Sequence, residues 1–178
     1  MPEAHYLVYH ILVFFTRGTI KPLLWRYYSM SYTTTTYHIV LRTYCSERTI
    51  SEAHERDFYA YVLGLVDNIG GKLYRIGGMP DHVHLCLSLP ATVAMADFVQ
   101  RLKTMTSKWL RANPDFPHWR GWSREYAGFT YSLSERDVVV DYIKNQKEHH
   151  RHLTFAEEYR KFLEENGITV KDEYFLKD

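Results

Sequence analysis

Cysteine is nearly missing from this chain. The two present among 178 residues, Cys45 and Cys86, stand far apart and fit neither a disulfide framework nor a CxxC zinc pattern, so a reducing, cytoplasmic setting is expected. Net charge is equally scarce: 22 basic residues face 21 acidic ones, a formal charge of +1. That balance excludes a global pull toward nucleic acid or membrane, and any polyanion site must be local. Long apolar runs are lacking too. The stretch HYLVYHILVFF at 5–15 falls short of the roughly 18 apolar residues of a membrane span. It also lacks the basic start and small-residue cleavage site of an export signal. Proline and glycine, at six and nine residues, are too few for a collagen-like or low-complexity chain. One domain's length, 46% hydrophobic, remains, and it is enough for a single sizeable core.

Aromatic residues and histidine are plentiful: 15 Tyr, 9 Phe, 4 Trp and 10 His. Tyrosines fill cores, stack on bases or act as nucleophiles, so pattern must decide among these uses. From Met30 the chain reads SYTTTTYHIVLRTY, a β-branched and aromatic pattern that looks like a natural protein start. Residues 1–29 are therefore expected to be a leader segment and residues 30–178 a single domain. Without the leader, 19 basic residues face 20 acidic ones.

Residues 34–44 read as a strand. A helix then opens at Ser51, carries Phe58, Val62, Leu65, Val66 and Ile69 at helical spacing, and stops at Gly70-Gly71. The segments KLYRIGGM (72–79) and HVHLCLSL (82–89), joined by Pro80-Asp81, form an antiparallel hairpin. Helical periodicity returns over 93–112, a strand follows at 126–132, and Ser134 with Asp137 suggests a capped helix through DVVVDYIKNQKEHHR. Thr154 with Glu157 repeats the device for a last helix ending near Asn166 and Gly167. The order β-α-β-β-α-β-α-α predicts an α+β, ferredoxin-like sandwich: a four-stranded, mostly antiparallel sheet with helices on one face and a C-terminal helix carrying the candidate chemistry.

Alternation along HVHLCLSL puts His82, His84, Cys86 and Ser88 on one side and Val83, Leu85, Leu87 and Leu89 on the other. If the apolar set faces the core, two imidazoles stand side by side on the opposite face, about a metal ion's width apart. HxH alone is a weak signal, since His150-Arg151-His152 repeats it. On a helix, however, residues two apart diverge and cannot chelate from one face. Tyr142 and Gln146, four residues apart, share a helical face that could cross the sheet and deliver a phenol and an amide oxygen to the same point. Asp81 reads as a turn residue after proline, and His149 is a further group close enough to approach an ion at Gln146.

Taken together, PDHVHL on a strand, a basic mid-chain helix and DYIKNQKEHH on a late helix resemble the single-tyrosine HUH transposases of bacterial insertion sequences, relatives of the REP-associated tyrosine transposases. The resemblance spans residues 30–178. It implies a transposase that cleaves and rejoins single-stranded DNA through a 5′-phosphotyrosine, without ATP. Tyr142 would be the nucleophile, with His82, His84 and Gln146 as ligands of Mg²⁺ or Mn²⁺. Of the two ions, Mn²⁺ suits imidazole better, because Mg²⁺ prefers oxygen. The resemblance further implies hairpin-bearing single-stranded DNA as partner. It also implies a homodimer in which one subunit's tyrosine helix completes the other's histidine pair, with cis or trans assembly left open.

Candidate phosphate contacts are Arg101, Lys103, Lys108 and Arg111 on the mid-chain helix, and Lys144, Lys147 and Arg151 beside Tyr142. Trp119, Trp122 and Tyr126 either stack on unpaired bases or close the core edge. Residues 153–178, with seven acids against four bases, are a poor DNA ligand and are expected to pack on the body or shield it. Other readings are a domesticated relative that processes repeated palindromes, a non-catalytic RNA-binding module, and a hydrolase using metal-bound water. The RNA-binding module would need aromatics at His82 and His84, and the hydrolase would leave Tyr142 dispensable.

Overall fold

The computed structural model describes residues 33–151 and 153–178. The proposed leader lies outside the described residues. The chain runs β1 (Thr36–Thr43), α1 (Glu55–Asn68), β2 (Lys72–Met79), β3 (His82–Ser88), α2 (Met95–Ala112), β4 (Trp122–Tyr131), α3 (Arg136–Lys144), α4 (Gln146–His149) and α5 (Phe155–Glu165). The strands form one sheet in the order β2-β3-β1-β4, every neighbouring pair antiparallel. This is the expected ferredoxin-like α+β arrangement.

Alternation sorts the sheet into two faces. Ile39 and Leu41 of β1 join Val83, Leu85 and Leu87 of β3 under Phe58, Val62 and Val66 of α1 and Phe98, Val99, Leu102 and Leu110 of α2. This is the main core. Its burial stabilises the fold by about 25 cal/mol per Å² of apolar surface removed from water. Helix α1 ends in a Schellman motif: Gly71 N donates to Val66 O (3.0 Å) and Gly70 N to Asp67 O (2.9 Å). Gly70 has φ +74°, a conformation that favours glycine.

The opposite face is covered by the C-terminal helices. Val139 and Ile143 of α3 pack on Cys86, while Phe155, Tyr159 and Phe162 of α5 pack on Val40 and Ala127. Gly77 on β2 permits the close approach of α3, since a Cβ there would meet the Ile143 carbonyl oxygen at 2.8 Å. The acidic C-terminal segment therefore packs on the body. Its last residue reaches back to form a buried ion pair, Arg42 Nη1 to Asp178 Oδ2 at 2.8 Å.

Several boundaries differ from those expected. Helix α1 starts at Glu55 rather than Ser51. Strand β4 begins at Trp122, because pairing with β1 continues past an irregularity between Leu41 and Thr43 to bring Thr43 opposite Trp122. Ser134 does not cap α3. The Glu135 side chain instead accepts hydrogen bonds from Ser132 N and Oγ, and α3 begins at Arg136. The late helix is two pieces, parted at Asn145. Thr154 and Glu157 do form both halves of a capping box on α5. Among the described residues no helix is long and apolar enough to cross a membrane.

Candidate active site

The second face of the sheet carries the polar chemistry. Register places His38 opposite Cys86, Val40 opposite His84 and Arg42 opposite His82, so one β1 face continues the histidine row of β3. His82 and His84 are 0% and 2% exposed, with ring centroids 5.1 Å apart.

Each of these rings is held from behind. His82 Nδ1 lies 2.7 Å from Asp81 Oδ1, and His84 Nδ1 lies 3.0 Å from His38 Nε2. With Nδ1–H donating outward, both Nε2 lone pairs point into the site, the arrangement in which outer partners fix the tautomer of metal-binding imidazoles. Asp81 is thus more than the turn residue expected. Its main-chain carbonyl accepts from Thr43 while its carboxylate orients His82.

Opposite the Nε2 atoms stands a residue the sequence reading passed over. Glu158 on α5 is 5% exposed. Its Oε1 accepts hydrogen bonds from the Tyr142 hydroxyl and from Gln146 Nε2, the latter at 2.8 Å. Its Oε2 lies 3.8 Å from His82 Nε2, 3.9 Å from His84 Nε2 and 2.8 Å from His150 Nε2. The last contact is close but lacks hydrogen-bond direction, since neither atom gains a hydrogen-bond partner from it. The signals for these residues were present. Phe155, Glu158, Tyr159 and Phe162 fall at i, i+3, i+4 and i+7, a carboxylate inside an apolar stripe, and His38 shares the period-2 face of β1. His150 reaches Glu158, while His149 is exposed beside Tyr142 and lines the cavity in front of it.

Tyr142 and Gln146 therefore do reach one point in the same chain as the histidines. The Tyr142 ring sits 5.8 Å from that of His84 and 5.9 Å from that of His38. A cavity of about 310 Å³, lined in part by Tyr131, Val138, Tyr142, Leu153 and Phe162, opens onto the phenol and Glu158. Five buried atoms lack hydrogen-bond partners around this point: Nε2 of His82, His84 and His150, Oε1 of Gln146 and Oε2 of Glu158. Burying unpartnered acceptors is costly. A divalent cation shared among them removes that cost, so the donor set fits a metal.

Ionisation follows from the same crowding. Burial raises the Tyr142 phenol above its ordinary value, and the Glu158 carboxylate raises it further, so the hydroxyl stays protonated when no ion is bound. Burial alone would raise Glu158. The His150 and His84 imidazoles and the bonds from Tyr142 and Gln146 outweigh it and hold the carboxyl well below its usual range. His84 is held far below the ordinary imidazole value by burial and then by His82 and His38. His38 is lowered to about 4, chiefly by burial.

These two imidazoles stay neutral in the fold but take up protons in the unfolded chain below about pH 6.5. The unfolded state then binds more protons, so stability falls with pH in that window. His150 opposes this in part, because its contacts with Glu158 outweigh burial and raise it. Urea unfolding of metal-free protein is expected to lose on the order of 2 kcal/mol between pH 7.5 and pH 5. A flat or rising profile would contradict the assigned neutral histidines.

With this geometry in place, comparison with known proteins identifies the chain. Residues 31–146 match the model of the family described as Transposase IS200 like. The chain belongs to the IS200-like transposase family. A protein of Deinococcus radiodurans R1 assigned as a transposase is 27% identical, with a TM-score of 0.50 and coverage of 65% of this chain and 93% of that one. A REP-associated tyrosine transposase bound to a REP hairpin shares the fold at 12% identity, with a TM-score of 0.51 and coverage of 65% and 68%. No protein of curated function matches the sequence.

Five of the candidate DNA contacts of this transposase line two grooves. Lys103, Lys108 and Arg111 line an open groove of about 600 Å³ with Arg120 and Arg124; Arg101 is exposed on α2 outside it. The Lys103 ammonium donates to the carbonyls of Ser123, Arg124 and Glu125 at 2.9–3.0 Å, and burial pushes it down to about 8. It ties α2 to β4 and presents a charge rather than free donors. Lys144 and Lys147 line a second groove of about 520 Å³ with Arg56 and Arg75, where Lys147 pairs with Glu55 at 2.8 Å. Arg151 is exposed and pairs with Glu148 at 3.0 Å. Trp119 and Trp122 belong to the core edge, their indole N–H groups donating to Ser107 and Thr106, and Tyr126 packs beside them.

Proposed function

We propose that this transposase cleaves and rejoins single-stranded DNA through a covalent 5′-phosphotyrosine at Tyr142. The observation that carries the reading is the same-chain convergence, on a single buried point, of one phenol with two oriented imidazoles whose Nε2 atoms lack partners. His82 and His84 would hold the divalent ion, Mg²⁺ or Mn²⁺, with the Gln146 amide oxygen as a third donor. Such an ion, when bound, neutralises non-bridging phosphate oxygens and lowers the barrier to attack by an oxygen nucleophile.

Tyr142 presents its hydroxyl at the floor of the cavity, oriented by Glu158 and flanked by the His38 and His84 rings. In the attack its oxygen forms a bond to phosphorus, the bond to the 3′ oxygen breaks, and the phenol's proton ends on the freed 3′-hydroxyl. Another 3′-hydroxyl attacking the same phosphorus reverses the bookkeeping of bonds and returns the phenol, so joining needs no ATP. The apolar walls at Tyr131, Val138 and Phe162 suit the bases next to the scissile phosphate. The groove at Lys108, Arg111, Arg120 and Arg124 suits the backbone of a hairpin.

Incubating the protein with Mn²⁺ and an oligonucleotide labelled at either end tests the polarity. The 3′-terminal label is expected to become protein-linked and the 5′-terminal label to leave on a fragment with a free 3′-hydroxyl. Transfer of the 5′ label to protein, or cleavage with no adduct, contradicts the reading, the latter in favour of a hydrolase.

One chain supplies every group of the site, which supports assembly in cis. Mixing Tyr142→Phe with His82→Ala subunits is then expected to give no cleavage. Recovered cleavage would establish exchange of the tyrosine helix across a homodimer.

A further inference from the structure

The IS200-like match ends at Gln146, yet the site does not. Twelve residues further on, α5 inserts Glu158 between the tyrosine helix and the histidine pair. The two oxygens of this carboxylate meet different surroundings. Oε1 is occupied by two donors, the Tyr142 hydroxyl and Gln146 Nε2. Oε2 faces the Nε2 atoms of His82, His84 and His150 at 2.8–3.9 Å and accepts no hydrogen bond. In the tautomers that donate Nδ1–H to Asp81 and to His38, the Nε2 atoms of His82 and His84 present lone pairs to an anionic oxygen. Lone pairs converging on an anion repel it, an opposition that a protonated His150 offsets in the metal-free site and that a divalent cation shared among them removes. His82, His150 and Glu158 each offer an atom within 4.8 Å of the others, the spacing of groups able to share one ion.

We propose that Glu158 is a direct ligand of the catalytic divalent metal, so that α5, from outside the family-matched segment, completes the site in this transposase. The proposal rests on the reading of His82 and His84 as metal ligands. Its chemistry is specific: a carboxylate supplies the hard anionic oxygen that Mg²⁺ and Mn²⁺ prefer and that two imidazoles lack. It also ties the ion to the nucleophile, because the oxygen that does not coordinate is the one that receives the Tyr142 hydroxyl.

Calorimetric titration of Mn²⁺ into the metal-free full chain tests this independently of activity. Wild type is expected to bind one ion, His82→Ala to bind none detectably, and Glu158→Gln, nearly isosteric, to bind at least about tenfold more weakly. Glu158→Asp keeps the charge but withdraws the carboxylate by one methylene. It is also expected to weaken binding about tenfold, and it serves as the deciding variant if the glutamine protein fails to fold. Wild-type or tighter affinity in a folded Glu158 variant overturns the proposal and makes the carboxylate an occupant that the ion displaces, leaving the histidine reading intact. Failure of wild type to bind, or undiminished binding by His82→Ala, overturns the histidine reading itself.

Discussion

Replacing Tyr142 by phenylalanine is expected to abolish covalent attachment to single-stranded DNA and to lower strand cleavage at least about a thousandfold, because Tyr142 is, among the described residues, the phenol packed against the His84 ring. The substitution removes one oxygen and little else. The ring keeps its contacts with His38 and His84, and Glu158 keeps its bond from Gln146. A stability loss of about 1 kcal/mol is expected for the single hydrogen bond. DNA binding, measured by gel shift on a hairpin-bearing single strand, should survive. Adduct formation at wild-type yield would remove Tyr142 from the mechanism and point to a different nucleophile.

His84→Ala is expected to have the second largest effect, and it combines two losses. The ring is wholly buried between His38 and the proposed metal site, so its removal leaves a cavity and strips His38 Nε2 of its partner. That costs about 2–4 kcal/mol of stability. Cleavage should fall by more than about a hundredfold, since loss of an outer partner of a metal ligand alone commonly costs ten- to a hundredfold. Thermal unfolding followed beside cleavage at low temperature separates the two losses. A folded variant that cleaves at the wild-type rate would exclude His84 from the ion's coordination.

The residues that proved legible in the sequence are those whose neighbours are local. Alternation on β3 sorts Val83, Leu85 and Leu87 from His82 and His84 because a strand's geometry alone decides which side chains share a face. The hairpin, both helices of the main core and the α5 capping box follow from equally local rules. Glu158 escaped because its role depends on where α5 docks. Its place in the apolar stripe of α5 marks it for burial, but only the docking of that stripe on β1 and β4 brings it to the histidines. Asp81 shows the same limit on a smaller scale: proline before it announces a turn, whereas the 2.7 Å contact to His82 arises from the turn's shape. Lys103 was visible as a charge but not as an anchor, since the carbonyls it engages come from a strand twenty residues later.

The central claim is spatial, and a crystal soaked in Mn²⁺ with data collected for anomalous scattering tests it most directly. The account predicts a single strong peak within bonding distance of both His82 and His84 Nε2, with the Tyr142 hydroxyl of the same chain facing it. A peak instead at His54, Asp57 and Asp115, the other described cluster with suitable spacing, or a Tyr142 side chain directed away from the ion, would contradict it.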